Sequence, residues 1–131
     1  MSSFALVVRG APYSSQSALS AYRFACATLE AGHSISRLFF NEDGVYNACA
    51  SIVPPQDELH LPQAWQALVK THGLDAVVCV SSALKRGVLD AGEAQRYGIA
   101  SSNLLDGFVI GGLGQLVAAT LEADRVITFA P

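Results

Sequence analysis

Three thiols, Cys26, Cys49 and Cys79, and three imidazoles, His33, His60 and His72, are the side chains here best suited to nucleophilic or proton-transfer chemistry. Cys79 has the most informative surroundings. It lies in DAVVCVSSALKRG, residues 75–87, where an apolar run gives way to serines and then to a helix-forming stretch. That order reads as a strand, a turn and a helix N-terminus, with Ser81 or Ser82 as the cap. A thiol placed there meets unpaired backbone N–H groups and the positive end of a helix dipole, and both favour the thiolate. Lys85 and Arg86, one turn on, add positive potential if they point back. The effect is large enough to matter. A thiol of pKa ~8.5 is about 3% ionised at pH 7 and one at ~6.5 about three-quarters, roughly a 25-fold gain in attacking species. Nucleophilicity falls with pKa and offsets part of that gain. Cys79 also reads, more simply, as a small apolar residue inside VVCV, because free cysteine is among the residue types most often buried. The residues alone leave both readings open.

The other candidates are weaker. Cys26 falls on one face of the first helix with Leu19, Tyr22 and Leu29, which makes it a core residue. Cys49, in YNACAS, sits in a long loop and reads either as an exposed thiol or, more simply, as a residue packed beneath Tyr46. His33, His60 and His72 all fall at helix ends, where imidazoles are commonly solvated or capping. No Ser/His/Asp or Cys/His arrangement is defined. An odd number of cysteines without CxxC or Cys/His ligand spacing indicates neither a disulfide framework nor a zinc site. GGLGQL lacks the full GxGxxG fingerprint and follows the fourth strand rather than the first. GAPYSSQS has serine hydroxyls and helix N–H groups suited to a phosphate, as in flavin-binding doubly wound domains, but a plain turn with an N-cap explains the same residues. No cofactor and no metal is expected.

The elements that position these residues alternate in type. FALVV, residues 4–8, is a continuous apolar run stopped at Gly10-Ala11-Pro12, which predicts a buried strand. A helix follows, with Ser14, Ser15 or Ser17 as its cap and Gly32 at its end. SISRLFF, residues 34–40, is a second strand, and residues 41–58 form the longest irregular stretch, a common setting for function. A second helix begins near Pro62, buries Leu61, Trp65, Leu68 and Val69, and stops at Gly73. DAVVCV, GFVIGG and RVITF are the third, fourth and fifth strands, with a short helix through residues 83–86, a weak helical turn over 89–98 and an amphipathic helix over 113–124. Apolar strands alternating with helices predict an α/β fold, an open parallel sheet of about five strands with helices on both faces.

Length and composition agree with one domain over residues 1–131. Hydrophobic residues make up 51% of the chain and charged residues 15%, so part of the apolar surface is expected to be covered by partner subunits. The net charge is −3 and no basic cluster exceeds Lys85-Arg86, which argues against direct nucleic-acid binding. The N-terminal MSSFALVVRGAP has no basic n-region, and its apolar run is short for a signal peptide. The longest weakly polar run, about 14 residues, falls short of the ~20 that span a bilayer. A cytoplasmic protein is expected.

Three stretches taken together resemble one family: LFFNEDGVYNA (38–48), CVSSALKRGVLD (79–90) and ASSNLLDGFVIGGLGQL (100–116). They are similar to the DsrE-like sulfur-relay proteins, and to the TusD-like members in particular. FALVVRGAPYSSQSA and the AW of the second helix fit as well, so the resemblance covers nearly the whole chain. It implies an α/β fold with a central parallel sheet, in agreement with the pattern above. It also implies that Cys79 is the catalytic residue, accepting sulfur as a persulfide from a TusA-like donor and passing it to a TusE-like acceptor. The destination it implies is 2-thiouridine at the tRNA wobble position, within a hetero-oligomer, a heterohexamer, with TusB- and TusC-like subunits. It assigns nothing to Cys26 or Cys49, which stay structural. A DsrE-type subunit in sulfur oxidation, a non-catalytic structural subunit, and a small-ligand or flavin-binding domain are the alternatives; a cysteine at position 79 speaks against the second.

Overall fold

A computed structural model describes residues 1–131. Five strands, β1 Ser3–Val8, β2 Ser34–Phe40, β3 Ala76–Cys79, β4 Phe108–Gly111 and β5 Arg125–Phe129, form one sheet in the order β4-β3-β2-β1-β5. Every pairing is parallel. The central strands β1, β2 and β3 are buried over most of their length because both faces are covered there, whereas the edge strands β4 and β5 leave Val109 and Val126 partly exposed. Leu6, Val8, Leu38, Phe40, Ala76 and Val78 enter the main core, while Phe39, Val77 and Cys79 form a small second cluster with Leu116.

Helices α1 (Ser17–Glu30) and α2 (Leu61–His72) pack on the first face. Trp65 is fully buried there between two rings, Tyr22 and Phe40, each edge-on at 5.3 Å. Two short helices follow β3, α3 (Val80–Lys85) and α4 (Ala91–Arg96), the latter capped by Asp90. Only α5 (Leu113–Glu122) covers the opposite face, held by Leu116 and by Arg37, whose Nη1 donates to Gln115 O at 2.8 Å.

Three expectations are corrected. Residues 42–48 are not a loop but a 3-10 helix, Glu42–Ala48, because Asn41 caps it and Val45, Asn47 and Ala48 are fully buried. The deepest stripe of α1 is Ala18, Ala21, Ala25 and Thr28. Leu19, Tyr22, Cys26 and Leu29 lie beside it, half-buried, since small residues let the helix sit close to the sheet while longer ones reach sideways. Cys26 is therefore not a core residue. The serines before α1 do not cap it: Gln16 holds that position without a side-chain bond, and Ser15 and Ser17 Oγ bond each other at 3.0 Å. Cys49 is buried despite its irregular surroundings, with its Sγ 3.2 Å from Ser51 Oγ.

Candidate functional site

Adjacent strands β3 and β4 send their connections to opposite faces of the sheet. The chain leaves β3 for α3, whose Ala83 joins the main core, and leaves β4 for α5 on the other side. Such a topological switch is where doubly wound sheets hold ligands and reactive groups, at the carboxyl ends of the strands. Cys79 is the last residue of β3 and pairs in register with Gly111, the last residue of β4. A Cβ at Gly111 would displace the Gln115 side chain and lie 2.9 Å from Val77 Cγ1, so the backbone there is closely neighboured.

The expected cap is also corrected. Helix α3 starts at Val80, two or three residues earlier than a Ser81 or Ser82 cap predicts, so Cys79 itself occupies the N-cap position in extended conformation. This turns the first-turn groups of Ser81 and Ser82 toward the sulfur. Ser81 Oγ lies 3.5 Å from Cys79 Sγ. Cys79 is 2% exposed, and that burial pushes its thiol up. The N–H of Ser82, the hydroxyls of Ser81 and Ser82 and the N–H of Ser81 favour the thiolate and outweigh burial, so the thiol lies below its ordinary value.

Lys85 and Arg86 are not the cause. Arg86 Nε donates to Asp43 Oδ1 at 2.7 Å and its Nη1 to Ser82 O at 3.2 Å, while Lys85 is exposed. The long stretch after β2 supplies what the sequence reading missed. Asn41 Oδ1 accepts from Ser82 Oγ at 2.9 Å and from Glu42 N at 2.9 Å, and Glu42 N also donates to Ser82 Oγ at 3.0 Å. Glu42 pairs with Arg9 at the end of β1. An asparagine directly before two acidic residues is a helix-start signal that marks Asn41 in the sequence. A groove of about 340 Å³ between α5 and the ends of β1 and β5 shares Asn41, Glu42 and Leu116 with the surroundings of the thiol.

The other candidates do not join it. His60 caps α2 by accepting from Gln63 N at 3.3 Å, His33 Nδ1 accepts from Ser2 N at 3.0 Å, and His72 ends α2. Cys49 pairs with Leu104 in an antiparallel bridge, and Cys26 stands midway along α1. No three His, Cys, Asp or Glu side chains gather as a metal site. No helix is long and apolar enough to cross a membrane. At GAPYSSQS, Tyr13 OH donates to Leu59 O at 2.6 Å and accepts from Leu61 N at 2.9 Å, which ties that loop to the start of α2.

The chain resembles known proteins over almost all of its length. A Sulfurtransferase TusD homolog of Vibrio parahaemolyticus is 48% identical over 96% of this chain and 96% of its own. A protein of Allochromatium vinosum provisionally named sulfurtransferase DsrE is also 48% identical, over 96% and 97%. The ychN protein from E. coli matches the fold with a TM-score of 0.74 at 28% identity, covering 98% of this chain and 100% of the other. The names of the Vibrio and Allochromatium relatives give this chain the activity class of a sulfurtransferase. With the DsrE/DsrF-like family model matching residues 2–129, this chain belongs to the DsrE/DsrF-like family.

Proposed function

We propose that Cys79 is the sulfur carrier of this sulfurtransferase, within a relay that ends on tRNA. The observation that carries the reading is the N-cap placement of Cys79 at the switch of the sheet, with serine N–H and hydroxyl groups lowering the thiol. In the first step the Cys79 thiolate attacks the outer sulfur of a persulfide on a TusA-like donor. The new Sγ–S bond forms as the donor S–S bond breaks, and the donor leaves as a thiolate. In the second step a cysteine of a TusE-like acceptor attacks the same sulfur, and Cys79 leaves as a thiolate. Sulfane sulfur moves with no net change in electrons. Thiolates leave readily, so no general acid is needed.

The relay is placed in the cytoplasm, with tRNA thiolation at the wobble position as its destination. TusB- and TusC-like subunits complete a hetero-oligomer. Support for partner subunits comes from α5, whose Leu113, Val117 and Leu121 follow at four-residue spacing and remain 58%, 57% and 82% exposed. Delivery to sulfur oxidation is the second reading, favoured by the equal identity to the Allochromatium vinosum relative.

Intact-mass spectrometry after incubation with a persulfide-loaded donor tests the carrier. The wild type and the Cys26→Ser and Cys49→Ser variants gain one sulfur atom that a reductant removes, and Cys79→Ser gains none. A Cys79→Ser protein that still accepts and passes sulfur refutes the assignment. Discharge of the loaded wild type by a TusE-like acceptor separates the tRNA reading from sulfur oxidation.

A further inference from the structure

Cys79 is 2% exposed, yet a sulfur carrier must be reached by the sulfur of another protein, so a neighbour has to move. Cys79 clusters with Phe39, Val77 and Leu116 on the face of the sheet that α5 covers. Gly111, its register partner on β4, turns its missing side chain to the same face, since a Cβ there would stand 2.9 Å from Val77 Cγ1. That Cβ would also overlap Gln115 Oε1 and lie 2.6 Å from Gln115 Cδ. The Gln115 carboxamide therefore fills the notch that Gly111 leaves beside Cys79, at the same level of the sheet and one strand spacing away, about 4.8 Å.

Gln115 is held at its backbone and free at its tip. Its O accepts from Arg37 Nη1 at 2.8 Å, and Arg37 Nε in turn donates to Asp75 Oδ2 at 2.8 Å. Its N donates to Gly112 O at 3.1 Å, whereas the carboxamide of this half-buried residue makes no hydrogen bond. The tip can leave the notch at the loss of packing alone, with no polar partner orphaned. The other neighbours lack that freedom: Phe39 and Val77 are core residues of the strands, and Leu116 packs into their cluster. We propose that the notch at Gly111 is the seat of the transferred sulfur and that Gln115 is its movable cover, closed over the thiol between transfers and swung out when donor or acceptor arrives. The inference rests on Cys79 being the carrier. A persulfide adds one atom to Sγ at a sulfur–sulfur distance of ~2.05 Å. That atom is comparable in size to a methyl group, and the notch offers the room of one absent Cβ once the carboxamide has left. No bond beyond those of the two displacements is made or broken.

The test compares two rates in the full chain. One is alkylation of Cys79 by iodoacetamide, read by mass spectrometry of its peptide; the other is sulfur loading from a persulfide-loaded TusA-like donor, read by intact mass. Gln115→Ala removes the cover and keeps the notch. Its Cys79 alkylates about tenfold faster, the equivalent of ~1.4 kcal/mol of lost cover, at an unmoved pH midpoint, and it loads sulfur at least as fast as wild type. Gly111→Ala fills the notch and expels the carboxamide, so alkylation is equally fast but loading falls about tenfold below that of Gln115→Ala. Gln115→Leu, whose branched apolar tip packs against Val77 and stays, both alkylates and loads slowly, and it tests the seat should Gly111→Ala fail to fold. Gly114→Ala, whose Cβ meets nothing within 4 Å, matches wild type in both rates. A wild-type alkylation rate in Gln115→Ala, or a gain that comes from a shifted midpoint, overturns the cover. Loading in Gly111→Ala or Gln115→Leu as fast as in Gln115→Ala overturns the seat. Alkylation does not depend on sulfur transfer, so these outcomes stand apart from a Cys79→Ser protein that still accepts sulfur, which refutes the carrier.

Discussion

Replacing Gly44 by alanine sets the 3-10 helix against the end of β1. A Cβ on Gly44 would stand 1.9 Å from Val8 O, 2.7 Å from Val8 C and 3.3 Å from Arg9 Cα. Ordinary contact begins near 3.4 Å, so the helix must retreat by about 1.5 Å. The obstacle is backbone, and no rotamer relieves it. Val8 O is also the acceptor for Asn41 N at 2.9 Å, so the retreat stretches the bond that ties the N-cap of this helix to β1. Overpacking costs ~1–3 kcal/mol and a weakened buried hydrogen bond about 1 kcal/mol more, giving a destabilisation of about 3 kcal/mol. With a urea m-value near ~2 kcal/mol/M, the unfolding midpoint falls by about 1.5 M. Gly114→Ala is the control, because a Cβ there meets nothing within 4 Å. It sits in α5 and should stabilise by up to about 0.5–1 kcal/mol through helix propensity. A Gly44→Ala midpoint within ~0.3 M of wild type, at unchanged m, would refute the argument that this contact leaves no space.

Other consequences are as direct. The Arg9 guanidinium, chiefly through its hydrogen bond, holds the Glu42 carboxyl below its ordinary value. That contribution is complete above the unfolded carboxylate range and is lost as pH falls through the lower folded value. Glu42→Gln therefore flattens the fall of the urea midpoint on acidification below about pH 4.5, and added salt shrinks the difference from wild type. Trp65→Ala, at a fully buried position between two rings, costs ~3–5 kcal/mol in thermal or urea unfolding. Trp65→Phe costs far less, about 1 kcal/mol, because the indole Nε1 has no hydrogen-bond partner to lose.

The strands were legible because strands buried on both faces of a parallel sheet need unbroken apolar runs, and FALVV, the LFF that ends SISRLFF, and AVVCV supply them. Helix α2 was legible too, since Pro62, Trp65, Val69 and Gly73 mark its start, buried face and stop. The 3-10 helix was not, because seven residues give too little period to separate Val45 and Ala48 from loop residues. The start of α3 was misplaced for a related reason. Val80 extends the apolar run of β3, and a β-branched residue continues a strand in pattern although the backbone turns at Cys79. The family resemblance singled out Cys79, but the Ser82 beside it is held by Asn41, which lies 41 positions before Ser82 and meets it only because β2 and β3 are neighbours. Contacts of that kind belong to topology, and single-sequence patterning does not encode them.

The pairing of β1 with β5 sets an order on synthesis. Ser3 and Asp124 clasp each other, Ser3 N donating to Asp124 Oδ2 at 2.8 Å and Asp124 N to Ser3 Oγ at 3.0 Å, across 121 residues of sequence. β2 can close one side of β1 early, yet the other side waits for the last strand. At ~5–20 residues per second that interval is roughly 6–24 s. Throughout it, the free N–H and C=O groups of FALVV form an open template for any passing strand. A nascent chain of this protein is most vulnerable to mispairing at its first strand, and it escapes that hazard only when its final residues arrive.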